Sequence, residues 1–324
     1  MATIKQVAQY AGVSVATVSR ALNKSGYVKQ ETQDKIDKAI KALNYHPNET
    51  ARTLYKRQSK MIGLLLPDIS NPFFTVVARG VEDEAMEKGY HIILGNGDNN
   101  EDKELAYLNT FKVHNCSGII ASQLSSKETF DSFKTYQMPF VLLDRVYEDH
   151  EFVETNHLKG GHLQAQAVIK GDAQSVLLLE QELSYKSFRE RWLGAKTTLE
   201  DHHIKYITAN ELTMTEDKLY QLINENQLDS IICSNDVGAF QIMSMLYNLN
   251  YNVPNDIQVV GYDDIPLSSM YSPSLTTIHQ PAYLIGKKAC QQLIKQLEGK
   301  KREHHEILDV TLIERQSTRS VKHE

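Results

Sequence analysis

The stretch TIKQVAQYAGVSVATVSRALN, Thr3 to Asn23, decides how the front of this 324-residue chain is read. Ile4, Val7, Ala8 and Ala11 recur at i, i+3, i+4 and i+7, the stripe of one helical face. Thr3 stands where an N-cap belongs, and Gly12 follows the stripe, where the chain must turn tightly. Ser14 is placed to cap a second helix that turns Val18 and Leu22 inward and leaves Val15, Ala16, Ser19, Arg20 and Asn23 pointing out. Ile36, Ala39, Ile40 and Leu43 then mark a third amphipathic helix. The spacing predicts a helix-turn-helix with a support helix. In that motif the first helix braces the second, and the second enters the major groove, where base edges carry distinct donor and acceptor patterns. Small side chains at 15 and 16 allow close approach, and Arg20 has the reach and fork for a guanine. The same spacing also fits a small three-helix protein-interaction domain.

Charge separates the two ends of the chain. Of its 35 Lys and Arg and 41 Asp and Glu, residues 1–60 hold 11 basic and 4 acidic side chains, and the remaining 264 residues hold 24 and 37. A basic head on an acidic body points to a polyanion that meets only the head. Hydrophobic residues at 41% and charged residues at 23% are ordinary for a globular chain. There is no apolar run of 18 residues, so no membrane span is expected. The N-terminus lacks the apolar core and cleavage pattern of a secretory signal, which points to the cytoplasm. Cys116, Cys233 and Cys290 lie far apart, with no metal-ligand spacing, and are expected to be small core residues rather than disulfides or metal ligands.

From Met61 the texture changes to apolar runs alternating with helical stretches. MIGLLLPD, YHIILGN, CSGIIA and PFVLLDR alternate with helices expected near 72–89, 101–114 and 126–136. After a helix at 157–170 come SVLLLEQ, KYITA, SIICSND and IQVVGYDD, again separated by helices. Short runs of apolar residues suit strands buried on both faces, and alternation with helices makes the sheets parallel. There are too many strands for one small sheet, so the expected fold is an all-α head plus an α/β body of two doubly wound parallel-sheet subdomains. No G-x-G-x-x-G and no GxxxxGK[ST] occurs, so no nucleotide cofactor is expected.

Parallel sheets bind ligands at the carboxyl ends of their strands. Those positions hold Asp68, Asp144-Arg145, Asn235-Asp236 and Asp263-Asp264, with Phe73 and Phe74 beside the first. Carboxylates and amides can grip paired hydroxyls while aromatic faces pack on the C–H side of a sugar ring. Taken singly, each Asp or Asn is equally well placed to cap the next helix.

The wording of several segments is more specific than their pattern. TIKQVAQYAGVSVATVSRALN, YVKQETQDKIDKAIKALNYHPNETARTL, IGLLLPDISNPFF, LLDR, SNDVGAF, VPNDIQVVGYDDIPLSSMYSPSLTTIHQP and LIERQST, in this order over nearly the whole chain, resemble the lactose/galactose repressor family of bacterial transcriptional regulators. The resemblance implies a DNA-binding head at 1–46, a hinge helix or linker at 47–60, and a periplasmic-binding-protein-like body at 61–324. That body would divide into subdomains of about 61–156 with 281–310 and about 157–280 with 311–320. It implies DNA contacts from Thr3, Ser14, Val15, Ala16, Thr17, Ser19, Arg20, Asn23 and Tyr45. In the hinge it adds Asn48, Ala51, Arg52 and Leu54, with Leu54 wedged into the minor groove. Tyr55 departs from the pattern, since many members carry a basic residue there. For the effector it implies Asp68, Ser70, Phe73, Phe74, Asp144, Arg191, Asn235 and Asp263.

The implied function is a homodimeric repressor on a palindromic operator, released when a sugar or sugar phosphate binds the body, with no cofactor and no membrane partner. Ribose and sucrose types both fit. Control by a corepressor or a phosphorylated carrier protein is the alternative. A transport protein shares the two-lobed body but needs export and no DNA-reading head. The strand-end acids could form a glycosidase pair, yet no nucleophile-elbow motif accompanies them, so an enzyme is not expected.

Overall fold

The computed structural model describes residues 2–23, 25–45, 59–122, 124–126, 130–131, 138–146, 150–301 and 304–319, with the side chain of Asn23 left out. The chain falls into two compact units, Met1–Ser59 and Lys60–Glu324.

The first unit is helical. Ile4–Ala11 (α1), Val15–Asn23 (α2) and Gln30–Ala42 (α3) follow one another. Thr3 and Gln6 form a reciprocal capping box at the start of α1, which satisfies backbone N–H groups the helix cannot bond itself. Gly12 ends α1 with φ 67°, a left-handed turn at which a side chain would be strained. Val7, Ala8, Ala11, Val18, Ile36 and Ala39 are buried together. Ala21, on the inner side of α2, joins them, although the sequence pattern did not single it out.

The second unit holds two parallel sheets. Met61–Leu66 (β1), His91–Asn96 (β2), Gly118–Ala121 (β3), Phe140–Leu143 (β4), Phe152–Thr155 (β5) and His305–Leu308 (β11) form the first, in the order β11-β5-β4-β3-β1-β2. Ser175–Glu180 (β6), Lys205–Asn210 (β7), Ser230–Ile232 (β8) and Gln258–Val260 (β9) form the second, in the order β7-β6-β8-β9. Thr277–His279 (β10) and Thr311–Ile313 (β12) make a small antiparallel pair. β5, β10, β11 and β12 were not foreseen as strands; FVET, TIH, HEIL and TLI are short and mixed with polar residues, without a clear apolar run. The helix expected near 126–136 lies largely outside the described residues.

Successive residues of a strand point to opposite faces, and β1 uses both. Ile62, Leu64 and Leu66 pack with Val77 and Val81 of Pro72–Glu87 (α4) and with Ile285, Ala289 and Leu293 of Ala282–Leu297 (α10). Leu65 faces the other side, with Leu108 and Phe111 of Glu101–Val113 (α5). In the second lobe, Val176 and Leu178 pack against His157–Lys170 (α6) and Lys186–Asp201 (α7) through Ala165, Val168, Ala195 and Leu199. Leu177 and Leu179 face Leu219 and Ile223 of Glu216–Asn226 (α8) and Phe240 and Leu246 of Asp236–Asn248 (α9).

α6 and α7 cross with their backbones nearly touching. A Cβ on Gly161 would stand 1.9 Å from the carbonyl oxygen of Arg191, and one on Gly194 would stand 2.1 Å from that of Leu158. Two reciprocal glycines thus fix the height of Arg191 over the start of α6. The chain passes between the lobes after β5, after β10 and after β11, so the carboxyl ends of both sheets meet at one cleft.

Candidate functional site: a head surface and an interlobe pocket

On the head, α2 presents Val15, Ala16 and Arg20 to solvent, with Thr17 and Ser19 half-buried. Ser14 Oγ accepts from the N–H of Thr17 at 3.1 Å and pairs with its hydroxyl at 2.8 Å, so the first turn is capped. No acidic residue precedes Glu31, which leaves α1, α2 and the following turn with only Lys5, Arg20, Lys24 and Lys29 as charges. The acids of α3 have partners on their own helix: Glu31 binds Lys35 at 2.8 Å, and Asp34 and Asp37 accept from Gln30 and Gln33 at 2.9 Å. A polyanion approaching α2 therefore meets no free carboxylate on that helix. The stem of Arg20 runs over Gly26, where a Cβ would come within 3.0 Å of its Cδ.

Two expected contact residues sit differently. Thr3 is exposed but engaged in capping α1. Tyr45 is 9% exposed and packs in the core of the head. Two strongly exposed aromatics, Tyr10 and Tyr27, were missed, because neither lies on α2. Asn48, Ala51, Arg52, Leu54 and Tyr55 lie outside the described residues.

In the body, Asp144, Arg191, Asn235 and Asp263 line one narrow pocket together with Phe73, Phe74, Asn71, Arg145, Ser187 and Phe188. Arg191 is its centre. Its Nη2 lies 3.8 Å from Asp144 Oδ1 and its Nη1 lies 3.7 Å from Asp263 Oδ1. Its Nη1 donates to the carbonyl of Ser234 at 3.2 Å, its Nε donates to His157 Nδ1 at 3.2 Å, and its guanidinium carbon stands 3.8 Å from the centre of the Tyr262 ring. Asp144, Arg191 and Asp263 are 3%, 6% and 5% exposed.

Burial, the largest influence, raises the pKa of Asp144 above the usual carboxylate range, while Arg191 and Arg145 pull it back. Burial raises Asp263 further, again against Arg191. His157 is driven well below the ordinary histidine range by burial and then by the charge of Arg191. With Nδ1 accepting from Arg191, the imidazole proton resides on Nε2, 3.4 Å from the carbonyl of Asp144. Gln280 completes the set: its Nε2 donates to Asp263 at 2.7 Å, and its Oε1 accepts from the Thr155 hydroxyl at 2.6 Å.

Asp144 (φ 57°) and Asp263 (φ 120°) hold left-handed backbone conformations that cost free energy and persist only where their surroundings enforce them. Asp144 Oδ1 and Ser187 Oγ are buried without a hydrogen-bond partner among the described residues. Both belong to residues that line the pocket, so a ligand able to donate and accept would complete them.

The other expected effector residues divide. Phe73 and Phe74 form an edge-to-face pair at 5.1 Å and wall the pocket. Asn235 Oδ1 caps α9 by accepting from the N–H of Gly238 at 2.9 Å, and the residue lines the pocket. Asp68 and Ser70 are not brought into the lining; Asp68 Oδ1 accepts from the N–H of Ser70 at 2.8 Å, an Asx turn after β1. Trp192 lies at the edge of the second-lobe core.

Sequence reasoning named Arg145 at a strand end without carrying it into the expected site, and it did not single out His157, Phe188 or Gln280. Arg145 is the informative case, since it stood in plain view beside Asp144. Its guanidinium lies 4.7 Å from the Tyr185 ring centre, 5.0 Å from Phe188 and 5.7 Å from Phe74, so aromatic rings from both lobes surround it. All three cysteines are buried and free. Among the described residues no helix is long and apolar enough to cross a membrane.

Comparison with known proteins places both units of the chain in known families. Residues 3–48 match the domain family of bacterial regulatory proteins, lacI family, and residues 169–318 match the periplasmic binding protein-like domain. The chain is 41% identical to the ribose operon repressor of Bacillus subtilis (strain 168), over 98% of this chain and 99% of that one. Among solved structures, the lac repressor dimer bound to operator and the anti-inducer ONPF superposes with a TM-score of 0.87 at 26% identity, covering 98% of this chain and 99% of that one. A LacI family transcriptional regulator from Enterococcus faecium with bound ribose superposes with a TM-score of 0.71 at 27% identity, covering 81% and 100%.

Proposed function

The chain belongs to the lacI family of bacterial regulatory proteins, and from that premise we propose that it represses a sugar-utilisation operon whose inducer is an unphosphorylated pentose of the ribose type. The observation that carries the choice of ligand is the pairing of Asp144 and Asp263 around Arg191, walled by Phe73, Phe74 and Phe188. Vicinal hydroxyls can donate to the carboxylates and accept from the guanidinium, while the C–H face of the ring packs on the aromatics. A phosphate would instead set its own negative charge against the two carboxyls that flank Arg191. One relative described above has ribose bound in its structure, and the curated relative is named for a ribose operon.

The head supplies the other half. α2 lies in a major groove with Val15 and Ala16 close to the base edges and Arg20 on a guanine. Two heads on a palindromic operator require a two-fold dimer. A surface suited to pairing exists on the second lobe, where Tyr247 (81% exposed), Met270 (74%) and Tyr271 (49%) stand beside a groove of about 340 Å³ lined by Met243, Tyr251 and Pro273. The relative bound to operator is itself a dimer. Acting on DNA through these contacts, the protein works in the cytoplasm and makes or breaks no covalent bond.

Sugar and operator are linked: whatever factor the sugar removes from operator affinity, the operator must remove from sugar affinity. Titrating full-length protein on its operator with D-ribose and with ribose 5-phosphate tests the reading. D-ribose should release the operator, and at 100 times its dissociation constant should stabilise the protein by about 2.7 kcal/mol. Ribose 5-phosphate should do neither, and Asp263→Asn should lose the response to ribose while keeping the operator. Release by the phosphate ester alone would overturn the choice of ligand.

A further inference from the structure

Outside the pocket, one buried ion pair joins the lobes. Glu154 lies on β5 of the first sheet, and Lys186 is the first residue of α7 in the second lobe. Lys186 Nζ stands 2.7 Å from Glu154 Oε1, with the two side chains 13% and 1% exposed. Both neighbours of this pair belong to the pocket. β5 runs beside β4, and the N–H of Asp144 donates to the carbonyl of Val153 at 2.9 Å, one residue before Glu154. Lys186 is followed on the same helix by Ser187, Phe188 and Arg191. The pair therefore runs from the strand that holds Asp144 to the helix that holds Arg191.

We propose that Glu154 and Lys186 form an interlobe latch that positions the α7 wall of the effector pocket over Asp144 and Arg145. The inference rests on the reading of that pocket as the effector site. Neither residue lines the pocket, so both are positioning residues. The latch differs from the ion pairs Lys159–Asp309 and Lys170–Glu314, whose side chains are all more than 40% exposed; solvent screens such pairs and little is gained from them. Glu190, also on α7, lies 3.7 Å from Lys186 and competes with Glu154 for it. The charged groups around the Glu154 carboxyl are Lys186, Glu190 and Asp144, and burial outweighs Lys186 in raising it to about 7. Burying such a pair gains little net stability, but removing one partner leaves an uncompensated buried charge, whereas removing both is mild. A latch of this kind specifies a geometry rather than adding cohesion.

That asymmetry supplies the test. Isothermal titration of the full-length protein with D-ribose at pH 8 compares wild type, Lys186→Met and the double variant Glu154→Gln/Lys186→Met. The single variant should bind at least about tenfold more weakly, because the Glu154 carboxyl without Lys186 either stays charged and unpaired in the closed interface or takes up a proton there at a free-energy cost. The double variant should return to within about threefold of wild type. A ligand-free arm measures the distance between spin labels on Asp102→Cys of α5 and Asp217→Cys of α8, diluted with unlabelled protein. Lys186→Met should broaden the distribution and the double variant should narrow it again. Wild-type ribose affinity in Lys186→Met, a double variant as weak as the single one, or an unchanged label distribution would each overturn the latch. Failure of ribose to bind the wild type would instead remove the pentose reading, with the label distances still deciding the latch.

Discussion

His157 accepts a hydrogen bond at Nδ1 from Nε of Arg191, 3.2 Å away, and this contact fixes the tautomer of a fully buried histidine. The same ring reaches back to the carbonyl of Asp144 at 3.4 Å, so a residue at the first crossing between the lobes ties the two charged anchors of the pocket together.

The histidine should therefore behave as a neutral spacer. Its ring should carry the proton on Nε2 and show no titration between pH 6 and 8 in nitrogen chemical shifts. His157→Ala should weaken effector binding by about 1.5–3 kcal/mol, the range for losing a hydrogen bond to a charged group. A ring that protonates near pH 6.5 would mean that Arg191 does not hold it.

Arg20→Ala should reduce operator affinity by about 1–3 kcal/mol and relax the preference at one base position. Binding measured on a set of single-base operator variants distinguishes this from a phosphate contact, whose loss would weaken all sequences equally. Gly26→Ala should reproduce part of the effect, since its methyl group would push against the Arg20 stem.

Gly161→Ala should cost about 1–3 kcal/mol of stability or more, as overpacking does, because the new methyl group meets backbone rather than a flexible side-chain end. The displaced carbonyl belongs to Arg191, so ribose affinity should fall together with the melting temperature. Loss of stability with full ribose affinity would show that the crossing of α6 and α7 does not set the guanidinium.

Acidity should stabilise this fold across neutrality. Burial pushes Glu211 to about 7, as it does Glu154, against the hydrogen bond that Glu211 accepts from the N–H of Ser234. Carboxyls raised above their unfolded value take up protons in the native state, so stability falls as pH rises through 7 and is regained on acidification. His157 works in the opposite sense, because its folded pKa is lowered, but only below about pH 6.5, where the unfolded ring protonates. The melting temperature should thus rise from pH 8 to about pH 6.5. In Glu211→Gln that rise should be smaller, and an equal rise would leave the buried carboxyl without influence.

Several parts of this molecule are local in origin, and the sequence alone determined them. The stripe Ile4, Val7, Ala8, Ala11, the turn at Gly12 and the cap at Ser14 are set by neighbours within one or two helical turns. The apolar runs of β1 and β6 likewise signal strands covered on both faces, and the acids at strand ends mark the side where a parallel sheet binds. Asp144, Arg191, Asn235 and Asp263 were named through the resemblance of their segments to the lactose/galactose repressor family, since a strand-end Asp or Asn taken singly suits helix capping equally well.

Tertiary structure alone decided which strand-end residues share a pocket and which merely close a turn. Asp68 and Asp263 look alike in sequence, yet Asp68 folds back on Ser70 while Asp263 faces Arg191 and Gln280. His157, Gln280 and Glu154 acquire their roles only because the chain crosses between two sheets and brings distant segments to one cleft. Periodicity reports which face of an element is buried; it carries no information about which other element lies against that face. Burial at the crossing then decides the chemistry, because it sets the proton on His157, raises Glu154 and leaves Asp144 Oδ1 in need of a donor.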